Sequence, residues 1–390
     1  MSKGSNSQPS QLAQVNPFRV MTVMHRAAEL ESAGRKIVHM EVGEPDFTTA
    51  EPIIEAAKKA LDAGHTQYTA APGIIELRQR ISGHYRQQHG VEISAEQILI
   101  TPGASGGLTL LAHLLVDQGD GILLSDPAYP CVRNFIHLMH ARPQLVPVGV
   151  AENFQPTTEL LSSYLDDSTT GVWLASPANP TGTVLERDEL QAISQWAGQN
   201  GLHLLVDEIY HGLHYVDDLP SVLELDESAY VVNSFSKYFG MTGWRLGWIV
   251  VPEQAVATAN ILAQNLYISA SSIAQQAALA AFEPATREIF EARRAAFQQR
   301  RDFLATALAE LEFGLAKNNQ GAFYIYADIS RFSDDSEEFC RMLLDDHGVA
   351  ITPGTDFGEH RSKQFVRLAF TTSMDDLELG VERIRAALGR

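Results

Sequence analysis

The sequence predicts an α/β protein, with a large unit on a mostly parallel seven-stranded sheet flanked by helices and a smaller α+β unit beside it. The chain has 390 residues, too many for one typical domain and comfortable for two. Its middle alternates short apolar runs with helical segments, the pattern of a parallel sheet covered on both faces. After Pro284 that rhythm gives way to one long charged helix and a few short strands.

Residues 1–15 are rich in Ser, Gln and Asn and are expected to be a disordered leader. Apolar residues from Phe18 to Ala33 recur at helical spacing, and Gly34 supplies a stop. A strand over Ile37–Val42 then enters the turn Gly43-Glu44-Pro45-Asp46. The seven sheet strands are expected at 97–101, 121–125, 144–148, 171–175, 203–206, 229–233 and 246–251. Helices are expected between them, for example over 108–116, 185–198 and 254–262. Past Glu283-Pro284 come a helix over 285–311, strands over 322–327 and 365–369, and a helix over 336–347. The expected division is therefore 49–284 for the large unit and 16–48 with 285–390 for the small one.

Composition narrows the function classes. The apolar fraction is 45% and the charged fraction 20%, ordinary for a chain with a real core. The net charge of −19 opposes nucleic-acid binding, which needs a basic surface to displace counterions from phosphate. No run approaches the roughly 18 apolar residues of a membrane span, and the start Met1-Ser2-Lys3-Gly4 develops no apolar signal core. Cys131 and Cys340 cannot form a disulfide framework, and a cytoplasmic setting suits them as packing residues. His211 and His214 sit near Asp207 and Glu208, but the sequence positions no third or fourth metal ligand. His84 and His89 are expected on a helix surface.

Six strings carry the chemistry. Asn233-Ser234-Phe235-Ser236-Lys237 precedes Met241-Thr242-Gly243-Trp244-Arg245-Leu246-Gly247. A lysine traps carbonyls only if its amine can lose a proton, and two hydroxyls with an arginine are groups that hold a phosphate dianion. Taken alone, such a lysine is more often a surface residue. Asp207 ends a buried strand, where ligands bind in open α/β sheets, although a helix N-cap would also use it. Asn179, in Ser176-Pro177-Ala178-Asn179-Pro180-Thr181-Gly182, could be plain turn chemistry. Pro102-Gly103-Ala104-Ser105-Gly106-Gly107 lies between a strand and a helix, and small residues there let backbone N–H groups approach a phosphate. Tyr129 follows a strand in Asp126-Pro127-Ala128-Tyr129-Pro130, a place more often filled by core aromatics. Arg367 lies on the strand Val366-Arg367-Leu368, where an arginine is usually solvated or ion-paired.

Together these strings resemble, in order and nearly from Phe18 to the C-terminus, the class I/II aminotransferases of the fold-type-I pyridoxal-phosphate enzymes. The resemblance implies pyridoxal 5'-phosphate as cofactor, with Lys237 as Schiff-base residue and proton shuttle. It implies that Ser234 and Arg245, with Ser236 and the Gly103, Ala104 and Ser105 positions, bind the phosphate, and that Tyr129 stacks on the pyridine. Asp207 is implied as partner of the ring nitrogen, which must stay protonated for the ring to act as an electron sink. Asn179 and Tyr210 are implied to bond the ring oxygen. Arg367 is implied to grip the amino-acid carboxylate, with Gly43 and Asn179 contributing. Tyr68, in Gln67-Tyr68-Thr69, resembles a tyrosine that reaches the phosphate of the neighbouring subunit, which implies a homodimer with shared active sites.

The implied reaction moves an amino group from an amino acid to a 2-oxo acid by ping-pong exchange. Aspartate-specific members of one subgroup carry a lysine where this chain has Ser105, which favours neutral or aromatic substrates unless Arg19 or Arg133 substitutes. A carbon–sulfur β-lyase on the same scaffold is the alternative chemistry. A non-catalytic regulatory protein is a further class, disfavoured by the acidic charge and by the short stretch before Phe18.

Overall fold

The structure, a computed structural model, describes residues 12, 14–317 and 319–390, so most of the expected leader lies outside the described residues. Seven strands make the main sheet: β2 (Ile98–Thr101), β3 (Gly121–Asp126), β4 (Arg142–Pro147), β5 (Thr169–Ala175), β6 (His203–Asp207), β7 (Tyr230–Ser234) and β8 (Gly247–Val250). Their spatial order is β2-β8-β7-β6-β5-β3-β4, and only β8 runs antiparallel to its neighbours. Successive residues feed opposite faces, as the pleat requires. Ile98, Ile100, Val172, Leu174, Leu204 and Val206 enter one apolar layer, while Leu99, Trp173, Leu205, Val232 and Ile249 enter the other. Burying each such side chain contributes about 1.5–3 kcal/mol, so both faces stabilise the sheet. That is why the strands appear in sequence as continuous apolar runs.

The C-terminal third holds a four-stranded antiparallel sheet in the order β12-β13-β10-β9, from β9 (Gly314–Leu315), β10 (Tyr324–Asp328), β12 (Thr352–Pro353) and β13 (Phe365–Ala369). The helix Pro284–Glu310 packs against it through Phe297, Leu304 and Leu308. β1 (Val38–His39) pairs in parallel with β11 (Val349–Ala350) as a separate two-stranded sheet, so the N-terminal segment returns to the C-terminal third.

Two elements depart from expectation. The strand expected over Ile37–Val42 is regular only at β1. Beyond it the backbone carbonyls turn to other partners: Met40 accepts from the Ala369 N–H, Glu41 from Thr352 Oγ1 and Arg367, and Val42 from Thr371 Oγ1. The helix expected from Leu108 begins at Gly103. The small-residue run is therefore the first helical turn, with backbone N–H groups that have no intrahelical acceptor. Among the described residues, no helix is long and apolar enough to cross a membrane.

Candidate active site

The strand order determines where the site lies. β5, β6 and β7 are parallel and finish along one edge, with Asn179 just beyond β5, Asp207 ending β6 and Ser234 ending β7. β8 runs the other way, so its first residue, Gly247, pairs with both Thr101 and Ser234. This reversal brings Arg245 beside the start of the helix Gly103–Leu115. Gly103 has φ +71°, and a Cβ on it would lie 2.8 Å from the Arg245 guanidinium. A Cβ on Gly247 would likewise collide with the backbone of Gly103 and Ala104. Glycine at both positions permits this close approach.

The resulting cleft, about 430 Å³, is lined by Gly43, Ala104, Ser105, Tyr129, Asn179, Asp207, Tyr210, Ser234, Ser236, Lys237, Arg245 and Arg367. The structure thus gathers residues from seven separate strings, with Gly103 directly behind Arg245. Tyr68 is not among them. It is 82% exposed and faces a different crevice, with Ser269 and Ser271.

Charge in the cleft is divided. At its anion-friendly end are the helix N-terminus, Arg245 and the two serines. The Arg245 guanidinium donates to the Thr242 carbonyl at 3.0 Å. Ser234 Oγ donates towards Leu246 O and Ser236 Oγ, at 3.1 and 3.0 Å. Ser234 has one proton for these two acceptors, and Ser236 Oγ stands beside it at the same end of the cleft.

Lys237 Nζ donates to the Gly43 carbonyl at 2.7 Å. The buried Asp207 carboxylate accepts from the Ile209 N–H at 3.0 Å. Burial pushes its pKa up to about 7, with the Ile209 N–H and the charge of Lys237 opposing the rise. A buried carboxylate this poorly compensated is a receptor for a cation or an N–H donor.

That shift has a measurable consequence for the ligand-free protein. The folded Asp207 holds its proton more tightly than the unfolded residue does at 3.8, so its contribution to stability is lost as pH rises through about 7. Asp207→Asn removes the titration. The melting temperature of the ligand-free variant should exceed that of wild type by a margin that grows from pH 4 to pH 8. A constant difference across that range would contradict the assignment.

Arg367 is buried, and no carboxylate among the described residues pairs with it. Nη1 donates to Asn179 Oδ1 at 2.9 Å, Nη2 donates to the Glu41 carbonyl and Thr352 Oγ1, and Nε has no partner. The guanidinium lies between the rings of Tyr324 and Phe357, at 4.3 and 4.6 Å from their centroids. A planar cation held flat with an unused donor suits a carboxylate ligand. With its Oδ1 taken by Arg367, Asn179 retains its amide N–H groups for a ligand.

Arg19 and Arg133 do not reach this cleft. Arg19 pairs with Glu337, Arg133 donates to the Asp356 carbonyl, and both line another crevice. The cations lining the cleft are Lys237, Arg245 and Arg367, and its remaining wall includes Val20, Leu108 and Ile209. Tyr324 also lines it and has no counterpart in the sequence reading. Its strand is buried on both faces, so no alternation marks it out.

The histidines occupy a separate cavity of about 490 Å³ lined by His84, His89, His211 and His214. His84 and His89 are thus packed rather than on an open helix surface: the His84 ring lies against Phe239 and Phe282, and the His89 ring centroid is 5.4 Å from that of His211. Among the described residues no cluster of three or more His, Cys, Asp or Glu side chains could hold a metal ion.

The sequence profile of the family described as aminotransferase class I and II matches residues 35–384. The valine–pyruvate aminotransferase of Mycobacterium tuberculosis is 38% identical over 374 residues, covering 95% of this chain and 96% of that protein. The (5-formylfuran-3-yl)methyl phosphate transaminase of Methanocaldococcus jannaschii is 37% identical over 377 residues, covering 96% and 97%. A crystal structure of an aminotransferase from Mycobacterium tuberculosis is similar at a TM-score of 0.95 and 38% identity, covering 99% of this chain and all of that one.

Proposed function

The chain belongs to the class I and II aminotransferase family, and from that premise we propose that it uses pyridoxal 5'-phosphate to move an amino group from a neutral amino acid to a 2-oxo acid. The observation that carries the cofactor is Asp207, a buried carboxylate raised to about 7 at the floor of a cleft with an anion site at one end. The residues present fit the group. Asp207 would take the ring nitrogen, Tyr210 and Asn179 the ring oxygen, Tyr129 the ring face, and Ser234, Ser236, Arg245 and the Gly103–Ser105 turn the phosphate. Bound there, the cofactor supplies an aldehyde and an electron sink for the carbanion formed at the amino-acid α-carbon.

The chain's own groups do the rest. Lys237 would supply the amine that holds the cofactor and would carry the proton away from the substrate α-carbon and return one. Arg367 binds the α-carboxylate with help from Asn179 and the Gly43 backbone, orienting the α-hydrogen towards Lys237. Asp207 would hold a proton on the ring nitrogen. Closure of the unit formed by 16–48 and 285–390 over that formed by 49–284 would exclude water. A second substrate then reverses the sequence, giving ping-pong kinetics. Tyr68 would complete the phosphate site of a partner subunit, making the active species a cytoplasmic homodimer.

A neutral side chain is favoured because all three cations of the cleft already have roles, while Val20, Leu108 and Ile209 offer apolar contact. The relatives named above are transaminases, which does not favour the carbon–sulfur β-lyase. A visible spectrum tests the reading. Neutral amino acids should bleach the absorbance of the bound cofactor and 2-oxo acids should restore it. Pyruvate and ammonia accumulating without an acceptor would identify the lyase instead. No cofactor band after adding pyridoxal phosphate would defeat the proposal.

Replacement of Arg367 by alanine is expected to raise KM for the amino acid about 10- to 100-fold, the loss of a charge-assisted pair worth ~1.5–3 kcal/mol. Cofactor retention should change little. If the variant loses the cofactor while KM holds, Arg367 has been given the wrong partner.

A further inference from the structure

We propose that Tyr324 is a positioning residue that ties the carboxylate-binding arginine to the hydroxyl facing the cofactor ring. The inference rests on the aminotransferase reading and assigns work to a residue outside its motifs.

Tyr324 is 2% exposed and lies on β10 at the wall of the cleft. Its two ends do different things. The hydroxyl is 3.0 Å from the Tyr210 hydroxyl. It also abuts Gly43, where a Cβ would lie 1.7 Å from the phenol oxygen. Gly43 in turn holds Lys237 Nζ through its carbonyl. The ring covers the Arg367 guanidinium at 4.3 Å from its centroid. The register explains that contact. Arg367 pairs with Tyr326 and Ala369 with Tyr324, so Tyr324 and Arg367 are diagonal neighbours on one face of the sheet. The backbone is anchored too, because Asn319 Nδ2 donates to the carbonyls of both Tyr324 and Thr181, at 2.7 and 2.9 Å.

A phenol has one proton to give. When Tyr210 gives its proton to a ligand oxygen, the bond between the two tyrosines must be donated by Tyr324. A donor placed behind Tyr210 polarises it and strengthens the bond it gives in turn. That bond favours the negatively charged form of the cofactor's ring oxygen and keeps the cofactor's titration low. The ring meanwhile keeps the guanidinium flat for the substrate carboxylate. Hydroxyl and ring therefore make separable contributions.

The test compares wild-type holoenzyme with Tyr324→Phe and Tyr324→Leu, reading the pH midpoint of the bound cofactor's absorbance together with KM and kcat. Tyr324→Phe should move the midpoint up by about 0.1–0.5 unit, because a bond behind Tyr210 strengthens the one in front by ~10–30%, with KM within about twofold. Tyr324→Leu should add an increase of about tenfold in KM, because the ring over Arg367 is gone. In a Tyr210→Phe background, Tyr324→Phe should shift the midpoint no further, since its effect passes through Tyr210. A midpoint identical in wild type and Tyr324→Phe, an additive shift in the double variant, or an unchanged KM in Tyr324→Leu would overturn the proposal. Failure of the wild type to show any cofactor band would instead defeat the aminotransferase reading on which it stands.

Discussion

Lys237→Ala is expected to abolish turnover, with kcat falling at least ~1,000- to 10,000-fold, the range that a positioned acid–base group contributes. Among the described residues, Lys237 is the lysine that lines the cleft. Arg245 and Arg367 carry delocalised guanidinium groups rather than an amine and so cannot replace it. The amine donates to the Gly43 carbonyl and lies over the rings of Tyr210 and Phe323, at 5.8 and 5.4 Å from their centroids. The variant should still bind pyridoxal phosphate through the anion site, so the loss would be chemical rather than structural. Substantial transamination retained by Lys237→Ala, measured with saturating cofactor and both substrates, would remove Lys237 from the mechanism.

Asp207→Ala carries the second largest expectation, a loss of about 100- to 1,000-fold in kcat, comparable to deleting one preorganised electrostatic group from a water-excluded site. The burial that makes this carboxylate costly without a ligand is what would make it effective with one. Paired with a protonated ring nitrogen it would be ionised, and the pair would be screened from water. Proton removal from the α-carbon should suffer far more than cofactor retention, because the phosphate contacts lie elsewhere in the cleft. A deuterium isotope effect at the α-carbon should therefore grow in the variant. An unchanged kcat would show that Asp207 serves only as a local cap through the Ile209 N–H.

The sequence by itself determined much of this protein, and it did so wherever a requirement was local. Buried parallel strands must be apolar on both faces, so β3, β5, β6 and β7 were visible as runs, and their boundaries agree to within a few residues. Gly103, Asn179, Asp207, Ser234, Lys237 and Arg245 sit in short strings whose spacing follows strand ends and turns. Those strings were sufficient to carry the resemblance to the aminotransferases.

What the tertiary structure alone decided were the contacts made across long stretches of chain. The antiparallel course of β8 puts Arg245 against Gly103, a proximity that neither string contains. Asn179 and Arg367 are 188 residues apart and share a hydrogen bond, and the Glu41 carbonyl reaches the same guanidinium across 326. Arg19 and Arg133, near enough in sequence terms to be candidates, are directed into another crevice by Glu337 and Asp356. His84 and His89 were placed on a surface that the fold covers. Tyr324 was invisible because its strand is buried throughout, so its residue type marks packing and function alike. Backbone requirements act between neighbours and leave a pattern in the chain, whereas a side chain's distant partner is selected only when the sheets pack.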